Sequence, residues 1–265
     1  IDNMDNEYAK IGHLMAQIGE AGLFNLYQKL LGKWSLVSLS DSRLLGASAR
    51  KIEKNLLRQR QKFINSRPGR VYIESNFGYY GLIDILSKVF ERHRVAFIVR
   101  DGRDWVRSWM SWGIKIGVPG AVYGKSKFKE IIGHSWPTAK ELKGDKFQAT
   151  WDYMSAFEKF CWAWDRLNSY ALKTIQKNPN AKIFYFEDIF KSNNRYEHLK
   201  TLVDFVTDMP GFDSTNIGQL DGWLNHQIQK SGGKFPVWTE WTFQQKQQFD
   251  DICGPLMVEL GYEIK

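Results

Sequence analysis

The sequence predicts an α/β fold, a single domain with a central, mainly parallel β-sheet flanked by helices. Short apolar runs of strand length, Val71–Ser75 (VYIES), Val95–Val99 (VAFIV) and Lys182–Phe186 (KIFYF), alternate with longer segments whose apolar residues follow helical spacing. That rhythm implies parallel strands joined by right-handed crossovers. A chain of 265 residues, 43% of them hydrophobic, can bury the core such a sheet requires. No internal repeat and no linker divides it.

The elements follow in order. Residues 8–32 read as two short helices broken near Gly19–Gly22. Residues 41–65 read as one strongly basic amphipathic helix, with Ile52, Leu56, Leu57 and Phe63 on or near one face, stopped by Arg67-Pro68-Gly69. The strand Val71–Ser75 leads to a helix over Gly81–Val89. After Val95–Val99 comes a tight Asp101-Gly102 turn, then a helix with Asp104 as the expected N-cap. Residues 113–150 are rich in Gly, Lys and Pro and read as a long excursion, a lid or acceptor loop. A long aromatic helix is expected over 151–177, carrying Phe157, Phe160, Trp164 and Leu167. Asn178-Pro179-Asn180 ends it before the strand Lys182–Phe186. Helices near 195–207 and 240–260 complete the chain.

Composition narrows the ligand. A formal charge of +8 suits an anion, although nucleic acid and an anionic membrane surface fit as well. The basic residues are spread rather than blocked, so charge alone does not choose. Eleven Trp and seventeen Phe point to a large aromatic core and an aromatic-lined cleft. Cys161 and Cys253 sit in apolar helical contexts and read as two buried free thiols, with a single disulfide between them as the alternative that their spacing does not support. The five histidines are scattered without the spacing of a zinc site, and no metal is expected. No apolar run reaches the roughly 18 residues of a membrane span, and no signal peptide is visible, so the expected compartment is the cytoplasm. The segment Gly120-Ala-Val-Tyr-Gly124-Lys125-Ser126 nearly spells a phosphate-binding P-loop. It is one residue short, has Pro119 where the first Gly belongs, and follows no strand.

The richest segment is Val95–Trp109. Arg100 falls at the carboxyl end of a buried strand, the edge where open α/β sheets bind ligands. A guanidinium fork, the Ser108 hydroxyl and the first amides of a helix could together hold a phosphate. The competing reading is an ordinary surface ion pair between Arg100 and Asp101 or Asp104.

Arg100-Asp101-Gly102-Arg103-Asp104 after an apolar strand, with Ser108 eight residues beyond Arg100, resembles the 3′-phosphate-binding segment of sulfotransferases that use 3′-phosphoadenosine 5′-phosphosulfate (PAPS). Gly102 stands where that family often has Pro. Ile183–Lys191 (IFYFEDIFK) is similar to the family's late Tyr-Glu-Asp strand, and the closing Cys253-Gly254 and Leu260-Gly261-Tyr262 to its last helix. The resemblance covers roughly residues 71–110, 151–191 and 230–265. It implies a P-loop NTPase-like sulfotransferase fold and transfer of a sulfuryl group from PAPS to a hydroxyl acceptor, a small molecule, carbohydrate or glycolipid. Arg100 and Ser108 would then hold the 3′-phosphate of the nucleotide. Lys230, Gly232, Gly233 and Lys234 resemble the basic glycine-bearing loop that covers it. At the end of the VYI strand the family often has Lys-Thr-His; here Glu74-Ser75-Asn76 stands there, so the histidine position is Asn76, which is no base, and Glu74 is the candidate base. Glu187 and Asp188 read as structural. The family's 5′-phosphosulfate loop has no counterpart before Val71 and is expected upstream of Ile1. Two other readings stay open: a P-loop-like kinase, for which no Walker lysine is visible, and a non-enzymatic module that binds polyanions. No nucleic acid partner is expected, and the oligomeric state is open.

Overall fold

Val95–Val99 (β1) and Ala181–Tyr185 (β2) pair as parallel strands, with Val95 opposite Ala181 and Val99 opposite Tyr185. A parallel pair needs a long crossover, and residues 100–180 supply it. The computed structural model describes residues 36–65, 75–115, 137–207 and 234–264. Among the described residues eight α-helices surround this two-stranded sheet: Leu36–Leu44 (α1), Ala49–Asn65 (α2), Ile83–Val89 (α3), Gly102–Lys115 (α4), Ala156–Ile175 (α5), Phe186–Phe190 (α6), Arg195–Val206 (α7) and Phe243–Glu259 (α8). Among the described residues the fold is therefore α/β in class but rich in helix, with a small parallel sheet. The expected helices over 8–32, residues 71–74 of the first strand and residues 116–136 of the long excursion lie outside the described residues; Ser75 itself is exposed and not part of a strand. The described half of the excursion, residues 137–150, holds only turns.

Several boundaries differ from expectation, each for a local reason. The single helix expected over 41–65 is two. Gly46 takes φ 95°, a left-handed conformation that favours glycine and ends α1. Ser48 then starts α2, its Oγ accepting from the Lys51 amide at 3.4 Å. The long aromatic helix begins later than residue 151. Residues Trp151–Tyr153 form a 3₁₀ turn, and Ser155 caps α5 with Glu158 in a reciprocal capping box. Phe186 is not the last strand residue but the first of α6.

α5 is the spine of the core. Phe160, Cys161, Trp162, Ala163 and Trp164 are all buried, so the helix is enclosed on every side along this stretch, and both α4 and α8 pack on it. Aromatic rings carry much of this packing: Phe157 meets Trp241 edge-on at 4.9 Å, and Trp151 meets Trp162 edge-on at 4.9 Å. Cys161 and Cys253 are free and buried where α5 and α8 touch; the Cys253 thiol donates to the Cys161 carbonyl at 3.3 Å. Pro255 lies inside α8 and has no amide to offer the carbonyl four residues earlier, that of Asp251. Lys146 supplies the missing donor from the 137–150 segment at 3.3 Å. A second cluster of Leu36, Leu39, Ile52, Leu56, Leu82 and Ile85 joins α1, α2 and α3.

Candidate functional site

The β1–α4 connection carries the site, and its local structure starts from Asp101. The helix begins at Gly102, three residues before the position expected with Asp104 as its cap. Its cap is Asp101, whose Oδ1 accepts from the Arg103 amide at 2.8 Å and whose carbonyl accepts from the Trp105 amide at 3.0 Å. Asp104, the expected cap, lies in the first turn and pairs with Lys191 instead. Gly102 is buried against aromatic rings. A Cβ there would come within 3.0 Å of Trp164 Cδ2 and 3.1 Å of Phe249 Cζ, so the site tolerates no side chain without rearrangement. The Trp164 indole also donates to the Arg100 carbonyl at 3.0 Å, tying the strand end to the spine helix.

The charged groups around Arg100 are arranged unlike a simple ion pair. Asp101 is bound by Arg103, with Nη2 to Oδ2 at 2.6 Å, and this contact raises the Arg103 pKa above the ordinary arginine value. Asp104 is taken by Lys191. Glu187 accepts from the Asp101 amide at 3.1 Å and from the Tyr262 hydroxyl at 2.9 Å. Burial first, then the neighbouring Glu187 charge, pushes the Tyr262 hydroxyl well above the usual tyrosine pKa, so it stays a donor. Among the described residues Arg100 has no ion pair. Its guanidinium lies 4.9 Å over the Phe186 ring, and its Nε is buried without a hydrogen-bond partner. A buried, unpaired guanidinium nitrogen is costly unless something accepts from it.

The early amides of α4 contribute less than expected. The Arg103 and Trp105 amides are used by Asp101 and the Asp101 amide by Glu187, so protein carboxylates and a carbonyl already occupy this helix start. What remains for an anion is the Arg100 side chain, the amides of Gly102 and Asp104, and the half-buried Ser108 one and a half turns into α4. No hydrogen bond joins Arg100 to Ser108 among the described residues. Lys234 is exposed at the described end of the late basic loop, and the next residue anchors it: Phe235 is buried and its carbonyl accepts from Arg107 Nε at 3.3 Å. The chain after Lys234 therefore meets α4 at the neighbour of Ser108. Lys230, Gly232, Gly233 and Glu74 lie outside the described residues.

Asn76, at the position where the resemblance places a histidine, caps the 3₁₀ turn Phe77–Tyr79 by accepting from the Gly78 amide at 2.8 Å. Residues to which the sequence assigned no site role complete the region: Arg103, Arg107, Phe186 and Tyr262. Arg103 carried a signal as part of the Arg-Asp-Gly-Arg-Asp motif and Tyr262 in its Leu-Gly-Tyr context; Arg107 carried none. Among the described residues no group of three or more His, Cys, Asp or Glu could hold a metal ion, and no helix is long and apolar enough to cross a membrane. No protein-family model, curated protein or solved structure matches the chain.

Proposed function

We propose that this chain is a sulfotransferase that moves a sulfuryl group from PAPS to a hydroxyl acceptor, a small molecule, carbohydrate or glycolipid. The observation that supports this reading most is the Arg100 side chain: buried at Nε, unpaired among the described residues, and placed directly after a parallel strand while its acidic neighbours are bound elsewhere. A phosphate oxygen would satisfy it, and an arginine fork suits such an oxygen well.

In this reading Arg100 and Ser108 hold the 3′-phosphate, and the loop of Lys230, Gly232, Gly233 and Lys234 folds over the nucleotide. The acceptor hydroxyl attacks sulfur, a new S–O bond forms, and the bond from sulfur to the phosphate oxygen breaks. Glu74 takes the acceptor proton, as a base must because a neutral hydroxyl is a weak nucleophile. The adenosine 3′,5′-bisphosphate that departs gains negative charge, and cationic groups arranged beforehand to meet it supply the largest rate contribution.

Ligand-dependent melting tests the class. The sulfotransferase reading expects adenosine 3′,5′-bisphosphate to raise the melting temperature, because a ligand that binds only the folded state stabilises it. Stabilisation by ATP with Mg²⁺ but not by the bisphosphate would assign a kinase instead. Binding to a sulfated polysaccharide that falls steeply with salt and ignores the bisphosphate would assign a polyanion-binding module.

A further inference from the structure

The last described residues reach back to both sides of the Asp101 turn. On one side the Tyr262 hydroxyl donates to Glu187 Oε2 at 2.9 Å, and Glu187 Oε1 accepts from the Asp101 amide at 3.1 Å. On the other the Glu263 carbonyl accepts from Arg103 Nη1 at 3.2 Å, and Arg103 grips the Asp101 carboxylate through Nε and Nη2. The Tyr262 ring is itself fixed, edge-on to Tyr185 of β2 at 5.8 Å. Behind the tail lies a cleft of about 570 Å³ bordered by Arg103, Trp238, Lys246 and Tyr262. Gly261, Tyr262 and Glu263 of the tail form part of its border, and the Tyr262 ring packs against the main core.

We propose that Tyr262 and Glu263 are positioning residues for the Arg100 anion site, acting through Glu187 and Arg103. The backbone from Arg100 to Gly102 is set by four groups: the Trp164 indole on the Arg100 carbonyl, Glu187 on the Asp101 amide, Arg103 on the Asp101 carboxylate, and the Gly102 contact with Trp164 and Phe249. Two of the four, Glu187 and Arg103, are oriented by the tail. When the Tyr262 hydroxyl is gone, Glu187 loses the partner that fixes its second oxygen, and the Arg100 guanidinium loses its fixed direction. This rests on the reading that Arg100 holds a nucleotide 3′-phosphate.

The test compares adenosine 3′,5′-bisphosphate with adenosine 5′-monophosphate by calorimetry on the wild-type chain and on Tyr262→Phe, which keeps the ring and its packing on Tyr185. The ratio of the two affinities isolates the 3′-phosphate, and a loss of folded protein lowers both affinities without changing it. Expected is a preference for the bisphosphate in the wild type that falls by roughly tenfold in Tyr262→Phe, the size of one lost hydrogen bond to a charged group. Glu187→Gln, whose carbonyl oxygen can still accept from the Asp101 amide while its NH2 group donates to the Tyr262 hydroxyl oxygen, should keep more of the preference than Glu187→Ala. A Tyr262→Phe ratio within twofold of wild type would overturn the role of the tail. A wild type without preference would instead overturn the assignment of Arg100, and the positioning role with it.

Discussion

Gly102 shows how one missing side chain sets the site. Family resemblance made it a substitute for Pro in a turn, but its contacts give the reason for glycine: the α4 start presses on Trp164 and Phe249. Gly102→Ala is expected to destabilise the fold by about 1–3 kcal/mol through overpacking, read as a lower midpoint in chemical denaturation. The same contact explains why the helix starts three residues earlier than the sequence suggests. Asp101 and Asp104 are equally good caps by residue type, and nothing local separates them. Burial of Gly102 against Trp164 and Phe249 decides for Asp101, and the distant Glu263 carbonyl helps to hold Arg103 where it grips the Asp101 carboxylate.

At the scale of elements, the strands and the longer helices were legible where a periodic apolar pattern met a clear stop. β1 was read to the residue, and β2 within one. The break between α1 and α2 was visible in Gly46 followed by Ser48, a stop and a start signal two residues apart, but the continuous basic pattern around them hid it. The 3₁₀ turn before α5 was masked by the aromatic residues Trp151 and Tyr153, which read as helix face, although Ser155 and Glu158 spell a capping box. Ser155→Ala should cost about 1 kcal/mol by removing that cap, and thermal denaturation would show it. The Lys146 contact to the Asp251 carbonyl could not be read from sequence, since it answers a vacancy created by Pro255 more than 100 positions on.

At the scale of the whole molecule, the buried Asp41 and the half-buried Asp165 make stability depend on pH in an uncommon direction. Asp41, bonded to the Tyr80 hydroxyl, is pushed up to about 7 by burial, with that bond opposing and Glu141 adding to the rise. Asp165 is raised to about 6, again by burial first, with Arg166 opposing. A carboxyl whose folded pKa lies above its unfolded value keeps its proton longer in the native state. Between the unfolded value of 3.8 and about 7 the native state therefore binds more protons, and this contribution to stability is lost as pH rises. The melting temperature of Asp41→Asn should consequently change less than that of wild type between pH 5 and pH 7.5, with the wild type losing stability toward the higher pH. An equal slope in both proteins would remove Asp41 from the account.

Arg100 carries a buried Nε without a hydrogen-bond partner among the described residues, and in the proposed function a nucleotide phosphate supplies that partner. Residues held for binding rather than for folding can be removed without loss of stability. Calorimetry with adenosine 3′,5′-bisphosphate on wild type and Arg100→Ala, with a melting curve of each, measures this most directly. The account predicts an affinity at least tenfold weaker in Arg100→Ala, from lost charge-assisted hydrogen bonds, with a melting temperature equal to or above that of wild type. An unchanged affinity, or a variant whose melting temperature drops as far as its binding, would make Arg100 a structural residue and contradict the claim.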